Sequence, residues 1–510
     1  MRLAAIDIGT NSIRCIIVAT DDRGGFRVLD DEKAAVRLGE GLTQSGNISA
    51  AAWERARQAL VRMRHIADGL GVESIVAVAT SAVRKAANGA AFVAAMENEA
   101  GFPLRVISGE EEAELALLSA SRHFDLGAAP HALVDIGGGS IEIVLTAGAL
   151  VEAMWSLELG AVFLSERFLT SDPVSRFELA TLRHHIRHSL RQVLPRAAHS
   201  HLNCLIGSGG TITTIGAMLM ARRGERYDSL SGYEIIRSDI VHLLAMLQRT
   251  TCRERRNLPG LNPERADIIV AGVTLVDELM DVLDLNMLRI NEGGIREGLI
   301  VQSLAGHGLL PEQRPSDWRD SVLRLSRACH TDEAHSRQVS HLALTLFDAL
   351  PENVGLDPRA RILLEAAGLL HDIGYFINYA KHHKHSFHLI RHAELFDFSP
   401  REKEIIANVA RYHRKTLPKK NHENYAGLTP ADRDLVCKLG GILRLADGLD
   451  RRRTQSVRTL ACRLIRGCCE VVLQGEGDLA VEAHGGAKKS DLFAQAFACR
   501  VSVTVQGEGC

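Results

Sequence analysis

The N-terminal half of the chain alternates short apolar runs with amphipathic stretches. Residues 2–8 and 13–20 are apolar runs around a Gly-Thr-Asn-Ser turn, and we predict two strands there. Residues 51–69 place apolar side chains on one helical face, which predicts an amphipathic helix. Strand and helix signals then alternate as far as residue 300, a pattern that is typical of an α/β fold.

One pattern occurs twice in this half. Asp7-Ile8-Gly9 ends one apolar run and Asp135-Ile136-Gly137 ends another, and each is followed by a turn and a further strand. The repeat predicts duplicated α/β lobes that face a cleft. The other predicted elements are strand 74–80, helix 88–100, strand 104–107, helix 110–121, strand 132–136 and strand 141–146.

The pattern changes near residue 305. Pro311 and Pro315 mark a linker, and residues 318–455 show helical periodicity with almost no strand signal. From residue 463, alternation and Gly turns predict a small β-rich or mixed appendage. The predicted domains are lobe I at 1–124, lobe II at 125–304, an all-α domain at 316–460 and a C-terminal domain at 461–510.

Composition narrows the class of protein. A chain of 510 residues is too long for one core, so we expect three or four domains. The net charge of −2 and an aromatic content of 5% argue against a general nucleic-acid or membrane-surface binder. Ten cysteines without a CxxC pair indicate reduced thiols. No signal peptide and no apolar run of about 18 residues occur, so we expect a cytoplasmic protein without a membrane span.

Three Gly-rich loops follow apolar strands. Glycine lets backbone N–H groups approach an anion closely, and a loop that opens a helix adds the helix dipole. A single such loop would be an ordinary turn, but two of these loops are also preceded by Asp. The predicted phosphate-binding loop residues are Gly9, Thr10, Asn11, Ser12, Gly137, Gly138, Gly139, Ser140, Gly207, Ser208, Gly209 and Thr211.

Several acidic residues accompany these loops. Asp7 and Asp135 end strands at the same register, so we expect both to face the cleft and to hold Mg²⁺, usually through waters. Glu142 lies inside an apolar strand, where it needs a metal or a donor unless that side of the strand faces solvent. Glu110, Glu111 and Glu112 open a predicted helix. They are either acids favoured by the helix dipole or, for one of them, a base that activates water.

Six segments of the N-terminal half stand in order: AIDIGTNSIR, ATSAVRKAAN, ISGEEEAEL, VDIGGGSIEIV, LIGSGGTITT and NEGGIREGL. Together they resemble the exopolyphosphatase / guanosine pentaphosphate phosphohydrolase family. The resemblance implies the duplicated ATPase lobe of the actin and sugar-kinase superfamily, which is ribonuclease H-like. It also implies a dependence on Mg²⁺ and a homodimer.

The resemblance also implies roles for individual residues. Glu112 matches the catalytic base, and Asp135 and Glu142 match the residues that bind Mg²⁺ and position water. Asp7 matches the Asp of the first loop. Arg84 and Arg296 are placed near the phosphate cleft, where Arg84 is either an anion clamp or part of a structural salt bridge.

The helical region carries a second set of polar residues, in the order His335, His371-Asp372 and Asp447. This order resembles the HD phosphohydrolase superfamily, which implies a site for a second divalent metal, Mn, Fe, Zn or Mg. Longer members of the exopolyphosphatase family carry a related domain whose metal motif is often degraded, whereas here it is intact. Further candidate ligands or phosphate donors are His382, His383, His385 and His413.

Basic segments in the same region predict a channel for a polyanion, although charge runs are more often solvated faces. They are Arg411 to Lys415, Lys419-Lys420, Arg451 to Arg453, Lys381 and Lys384.

These observations favour an exopolyphosphatase that releases orthophosphate from the end of polyphosphate. The alternatives are hydrolysis of guanosine pentaphosphate, an added HD-type phosphohydrolase activity, a kinase of the same superfold and a nucleotide-sensing protein. The acidic cluster argues for hydrolysis rather than for the last two.

Overall fold

The computed structural model describes residues 1–20, 26–127, 129–148, 150–194, 202–308, 317–465 and 467–506. The chain forms two compact units, Met1–Arg314 and Pro315–Cys510. The predicted linker residues Pro311 and Pro315 lie outside the described residues.

The first unit begins with a mixed sheet in the order β3-β2-β1-β4-β5. Strand β1 is antiparallel to β2 and parallel to β4. The sequence did not predict β3, because its charged residues mask the alternation of an edge strand. The strands are β1 (Arg2–Ile8), β2 (Ser12–Thr20), β3 (Phe26–Ala35), β4 (Ser74–Ala79) and β5 (Leu104–Val106).

A second sheet repeats this arrangement in the order β10-β11-β9-β6-β7-β8. Strand β6 is antiparallel to β7 and parallel to β9, as β1 is to β2 and β4. The predicted duplication of an α/β fold is therefore confirmed. The strands are β6 (His131–Ile136), β7 (Ile141–Ala147), β8 (Leu150–Leu157), β9 (Leu205–Ser208), β10 (Glu234–Ile236) and β11 (Met287–Ile290).

Helices pack against both sheets of the first unit. The helices are α1 (Leu42–Ser45), α2 (Ala50–Gly69), α3 (Ser81–Lys85), α4 (Gly89–Ala100), α5 (Gly109–His123), α6 (Ala161–Phe168), α7 (Arg176–Val193), α8 (Gly210–Arg223), α9 (Arg237–Gln248), α10 (Cys252–Arg255), α11 (Ile269–Val282) and α12 (Ile295–Gly306). A short 3-10 turn covers Pro263–Arg265.

Helix α5 lies between the two sheets. Leu115 packs with Leu3 in a cluster on the first sheet, whereas Ala113 packs with Leu133 in a cluster on the second. The side chains on opposite faces of one helix thus belong to different lobes. Glu112 lies buried in the first turn of this helix.

The second unit is helical up to residue 449, as the periodicity predicts. The helices are α13 (Trp318–Ala328), α14 (Glu333–Asp348), α15 (Pro358–Leu370), α16 (His382–His392), α17 (Pro400–Arg411), α18 (Glu423–Ala426) and α19 (Pro430–Leu449), with 3-10 turns at Glu352–Val354 and Ile373–Phe376.

A small sheet and two helices complete the second unit. The sheet has the order β12-β13-β14, and its residues share one hydrophobic core with the helices. Strand β12 begins earlier than the alternation suggested, because an irregularity between Val457 and Thr459 interrupts the pattern. The elements are β12 (Val457–Ile465), β13 (Cys468–Gly475), α20 (Ala480–Lys488), α21 (Asp491–Ala496) and β14 (Arg500–Val505). No helix in the described ranges is long and apolar enough to cross a membrane.

Candidate active site

The two Asp-Ile-Gly loops close in the same way. The Gly9 amide donates to the Ser12 carbonyl over 3.1 Å, and the Gly137 amide donates to the Ser140 carbonyl over 3.1 Å. In each hairpin the Asp precedes the last residue of its first strand. The repeat seen in the sequence is therefore a repeat of backbone geometry.

The loops of the two lobes touch each other. A Cβ added at Gly138 would lie 3.0 Å from Thr10 Cβ, and one at Gly139 would lie 2.9 Å from Thr10 Oγ1. The Cβ added at Gly139 would also lie 2.7 Å from Oγ of Ser81, at the start of α3. Only glycine fits this contact, which joins the first and second predicted loops into one site.

The third loop meets the end of strand β6. Gly209 has φ of +93°, and a Cβ there would lie 2.8 Å from Asp135 Oδ1. Both the positive φ and the close approach require glycine. Thr211, in the first turn of α8, is buried against Gly272. The three predicted loops thus surround the end of one strand.

Four acidic side chains converge beside these loops. Burial, together with the charges of neighbouring carboxylates, raises the pKa of Asp135 to about 6 and the pKa of Glu112 to about 7. Burial also raises the pKa of Asp7 to about 6, although Arg14 and Arg296 oppose the shift. Glu142 has its pKa raised well above the usual range by burial and then by Glu112 and Asp135.

Glu142 does not face solvent, so the alternative of an exposed strand position is wrong. Its side chain is 2% exposed, and it pairs across the hairpin with Asp135. Ser156 Oγ of β8 donates to Glu142 Oε1 over 2.9 Å. A buried acid with so few donors fits a cation-binding position.

The three adjacent glutamates have different surroundings. Glu110 is exposed. Glu111 forms a capping box with Ser108, whose amide lies 3.0 Å from Glu111 Oε2. Glu112 is 4% exposed and is the only one of the three that joins the acidic cluster. The helix-dipole interpretation therefore explains Glu111, and the candidate base is Glu112.

Arg84 contacts this candidate base directly. Its Nη1 lies 2.5 Å from Glu112 Oε1 and 2.6 Å from the Ile107 carbonyl oxygen. Arg84 lies in the short helix α3, which the sequence did not predict. The ion pair of the salt-bridge interpretation is present, and it lies inside the candidate site. The anion clamp stays a prediction.

Two further arginines lie near the acids. Arg296 at the start of α12 pairs with Asp31 of β3, and its charge lowers the pKa of Asp7. Arg14 lowers the pKa of both Asp7 and Asp135. Arg14 was not among the residues predicted from the sequence. The repeat of the two hairpins could have identified it, because Arg14 lies opposite Asp7 on the neighbouring strand as Glu142 lies opposite Asp135.

The acidic cluster fits a hard divalent cation. Asp7 Oδ1 is buried without a hydrogen-bond partner among the described residues. Carboxylate oxygens are the ligands that Mg²⁺ prefers, and a cation would remove the repulsion that raises these pKa values. Asp7, Asp135 and Glu142 therefore have the chemistry of a magnesium site.

A cavity of about 310 Å³ opens beside the first loop, at Thr10 and Asn11. Arg37 and Arg255 line it, and each already pairs with a carboxylate, Asp267 and Asp172 respectively.

The four HD-type residues of the second unit also meet. His335 Nε2 lies 3.6 Å from Asp447 Oδ1 and 3.8 Å from Asp372 Oδ2. His371 Nε2 lies 3.6 Å from Asp372 Oδ2. Burial lowers the pKa of His371, which keeps its imidazole neutral as a metal ligand must be. The Nε2 atoms of His335 and His371 are buried without a hydrogen-bond partner among the described residues.

His335 is in a different electrostatic state. Burial lowers its pKa, but Asp447 and Asp450 outweigh burial and raise the pKa to about 9. A metal ion at Nε2 would therefore displace a proton. Of the additional candidates, His382 and His413 lie with Asp372 in a second group that could hold a metal, whereas His383 and His385 belong to neither group.

Comparison of the chain with profiles of known protein families identifies its class. The profile of the Ppx/GppA phosphatase family matches residues 16–307, and the profile of domain III of Ppx/GppA phosphatases matches residues 319–482. The family match defines the protein as a phosphoanhydride hydrolase, as predicted.

Solved structures agree with this match. A Ppx/GppA family member from Aquifex aeolicus is 27% identical, with a TM-score of 0.52 over 60% of this chain and 98% of its own. An exopolyphosphatase from Cytophaga hutchinsonii is 28% identical, with a TM-score of 0.57 over 60% of this chain and 98% of its own. The chain belongs to the Ppx/GppA phosphatase family.

Proposed function

We propose that the first unit is a Mg²⁺-dependent exopolyphosphatase that removes the terminal phosphate of inorganic polyphosphate. The observation that carries this proposal is the convergence of Glu112 with Asp7, Asp135 and Glu142 beside three phosphate loops. The similarity to the Cytophaga hutchinsonii exopolyphosphatase supports it.

Each residue has a role in this proposal. Asp7, Asp135 and Glu142 hold Mg²⁺, which when bound supplies positive charge to the phosphate oxygens. The backbone N–H groups of the loops bind and orient the terminal phosphate. Arg84 keeps Glu112 oriented through their 2.5 Å contact.

Glu112 then accepts a proton from water. The water oxygen forms a bond to the terminal phosphorus, the bond to the bridging oxygen breaks, and the shortened chain leaves. A base with a pKa near neutrality suits this step, and burial raises the pKa of Glu112 to about 7. Arg296 adds positive charge at the Asp7 side of the cleft.

Guanosine pentaphosphate is the alternative substrate, because removal of its 5′ terminal phosphate would use the same residues. Phosphate release from long polyphosphate and from guanosine pentaphosphate tests the choice when kcat/KM is measured for both with the same preparation. A higher kcat/KM for polyphosphate supports the proposal. A preference for guanosine pentaphosphate would replace it with the alternative.

We also infer that the family's homodimer extends to this chain and that its location is cytoplasmic. The homodimer rests on the resemblance and the cytoplasmic location on the cysteine pattern of the sequence; the molar mass in solution tests the first. An additional metal-dependent hydrolase activity in the second unit is a separate proposal, and it rests on the histidine and aspartate cluster around Asp372.

Mg²⁺ is expected to stabilise the protein more at about pH 8 than at about pH 5. The folded pKa values of Asp7 and Asp135 are about 6 and that of Glu112 is about 7, above the unfolded values near 4. Without metal, the stability contribution of these protonated acids is present below the unfolded pKa and is lost as the pH rises through the folded pKa. Thermal unfolding with and without Mg²⁺ at both pH values measures the effect.

The matched control for this prediction is Glu470→Gln, which removes an exposed acid of β13 far along the chain from the cluster. It is expected to keep the pH dependence, whereas Asp135→Asn is expected to reduce it. An equal Mg²⁺ shift of the melting temperature at both pH values would contradict a magnesium site at the cluster.

The exposed basic segment at Lys419 and Lys420 is expected to bind polyphosphate beyond its terminal units. Lys419→Gln/Lys420→Gln should weaken binding of long chains more than binding of short chains, because only long chains reach additional charges. Dissociation constants for two chain lengths measure this. Arg458→Gln/Lys488→Gln removes the same charge elsewhere in the second unit and is the control. Equal losses for both lengths would count against a channel.

A further inference from the structure

The second unit holds two groups of buried side chains that share one carboxylate. His335, His371 and Asp372 form the first group, and Asp372, His382 and His413 form the second. All five side chains are less than one-tenth exposed. The sequence pattern of His, His-Asp and Asp predicted only the first group.

The two oxygens of Asp372 face different groups. Oδ2 lies 3.6 Å from His371 Nε2 and 3.8 Å from His335 Nε2. Oδ1 lies 3.2 Å from His382 Nε2 and 3.7 Å from His413 Nε2. This is the arrangement of a carboxylate that gives one oxygen to each of two cations. Asp447 Oδ1, 3.6 Å from His335 Nε2, adds a second carboxylate to the first group only.

Hydrogen-bond partners outside the cluster fix the orientation of the four imidazole rings. In each ring Nδ1 contacts an oxygen outside the cluster, which directs Nε2 toward Asp372. The Nδ1 partners are the Gly368 carbonyl for His371 (2.7 Å), the Ala410 carbonyl for His413 (2.6 Å), the Tyr379 carbonyl for His382 (3.1 Å) and Asp450 Oδ2 for His335 (2.7 Å). Four ring nitrogens from four separate segments thus point into one buried space.

Protein contacts leave two of these four nitrogens without a hydrogen-bond partner among the described residues. The Nε2 atoms of His335 and His371 have no hydrogen-bond partner in the described part of the chain. His382 Nε2 and His413 Nε2 face each other at 3.4 Å. Unpaired buried nitrogens are costly, and metal coordination removes that cost.

We propose that the second unit carries a two-metal centre bridged by Asp372, which binds and hydrolyses a phosphate monoester. His335, His371 and Asp447 complete the first metal position, and His382 and His413 complete the second. Mixed imidazole and carboxylate ligands suit divalent transition metals such as Mn²⁺ or Zn²⁺. The inference deepens the additional activity proposed for the second unit and is independent of exopolyphosphatase activity.

The charged groups around the centre indicate an anionic substrate. Arg453 Nη2 contacts Asp372 Oδ2 at 2.6 Å, and Lys489 pairs with Asp447. Arg414 Nη1 lies 3.2 Å from His382 Nε2. Cations at the two positions would take over the neutralisation of Asp372 and Asp447 from Arg453 and Lys489, and a metal ion at His382 Nε2 would displace the contact with Arg414. Each of these three basic side chains is partly exposed or lies at the surface, so it can reach phosphate oxygens.

The reaction consumes one water. The water oxygen forms a bond to phosphorus, and the phosphorus–oxygen bond to the alcohol breaks. One water proton goes to the alcohol oxygen, and the other stays with the released phosphate. Two cations that share a ligand stabilise both the attacking and the leaving oxygen in such a displacement.

Metal counting on the full-length protein tests the centre without relying on activity. The protein is equilibrated with Mn²⁺ in the presence of excess Mg²⁺, which occupies the acidic site of the first unit, and bound Mn²⁺ is measured. Two equivalents and an exchange-coupled Mn²⁺ electron paramagnetic resonance spectrum are expected. His382→Ala/His413→Ala is expected to keep one equivalent, with the spectrum of an isolated ion. His385→Ala, on the same helix as His382, is the control and should keep both.

A count and spectrum unchanged in His382→Ala/His413→Ala would overturn the second metal position. Circular dichroism of each variant confirms that the helices remain folded. A count lowered in His385→Ala as well would show nonspecific binding and would also overturn the proposal.

Hydrolysis of p-nitrophenyl phosphate tests the substrate class in the Glu112→Gln background, which removes the contribution of the first unit. Mn²⁺-loaded Glu112→Gln protein should release p-nitrophenol. Adding His382→Ala/His413→Ala should lower the rate by roughly 100-fold, the upper end of the loss that follows from removing the supporting partners of metal ligands. No release by the loaded Glu112→Gln protein would overturn the catalytic part. That result would leave the exopolyphosphatase proposal unaffected, because polyphosphate hydrolysis is measured separately in the wild-type protein.

Discussion

Replacing Glu112 with Gln is expected to lower kcat for phosphate release by roughly 10²–10⁴-fold, the usual contribution of a general base. The amide has the shape of the carboxylate but cannot accept a proton from water. Because Glu112 is buried in the first turn of α5 and not in the capping box, the helix should keep its structure. Steady-state phosphate release with long polyphosphate measures the change.

The control for Glu112→Gln is the same substitution at Glu110, two residues earlier in the chain. Glu110→Gln removes the same charge from the same helical turn, but Glu110 is exposed and outside the cluster. It should leave kcat within about twofold, which is the size of a surface-charge effect. A Glu112→Gln enzyme with wild-type kcat, or a Glu110→Gln enzyme with the same loss, would be evidence against Glu112 as the base.

Gly160→Ala is expected to lower kcat/KM by about 100-fold, although the residue carries no functional group. Gly160 is the N-cap of α6, and its φ of −67° is open to any residue. An added Cβ would lie 2.3 Å from the Gly138 carbonyl carbon and 2.4 Å from the Gly139 amide. The methyl group must therefore displace the second phosphate loop, and a displacement of about 1 Å costs this much rate.

The same substitution at Gly306 is the control for this effect. Gly306 ends α12 and has no atom near an added Cβ, so Gly306→Ala should keep kcat/KM and leave stability unchanged or slightly higher. Kinetics and thermal unfolding of both variants separate a displaced loop from general destabilisation. Wild-type kcat/KM in Gly160→Ala would show that the loop tolerates the methyl group.

The sequence predicted those strands and loops of the first unit that are determined by the local order of apolar, polar and glycine residues. Apolar runs located β1 and β6, and the Asp-Ile-Gly repeat located the loops that close their hairpins. Glu112 could be separated from Glu110 and Glu111 only through the family resemblance, because all three precede the same apolar face. Burial, which distinguishes them, is decided by the contact of α5 with both sheets.

The parts that were missed depend on long-range contacts. Helix α3 is too short to show periodicity, so the contact of Arg84 with Glu112 has no local signal. Strand β3 is identified by its pairing with β2 rather than by alternation. In the second unit, His382 and His413 were named only as additional candidates, since nothing in their spacing reveals that they face Asp372.

The duplicated hairpin has a consequence for how the cleft is divided. At the position opposite the strand-ending Asp, the first lobe carries Arg14 and the second carries Glu142. The same hairpin thus occurs in both lobes, with a positive side chain at this position in the first and a negative one in the second. Among the described residues, the carboxylates Asp135 and Glu142, proposed to bind the cation, lie in one lobe, and Arg14, whose charge lowers the pKa of Asp135, lies in the other. Under the proposed function, the catalytic unit is therefore the pair of lobes, because each lobe holds only half of the electrostatic site.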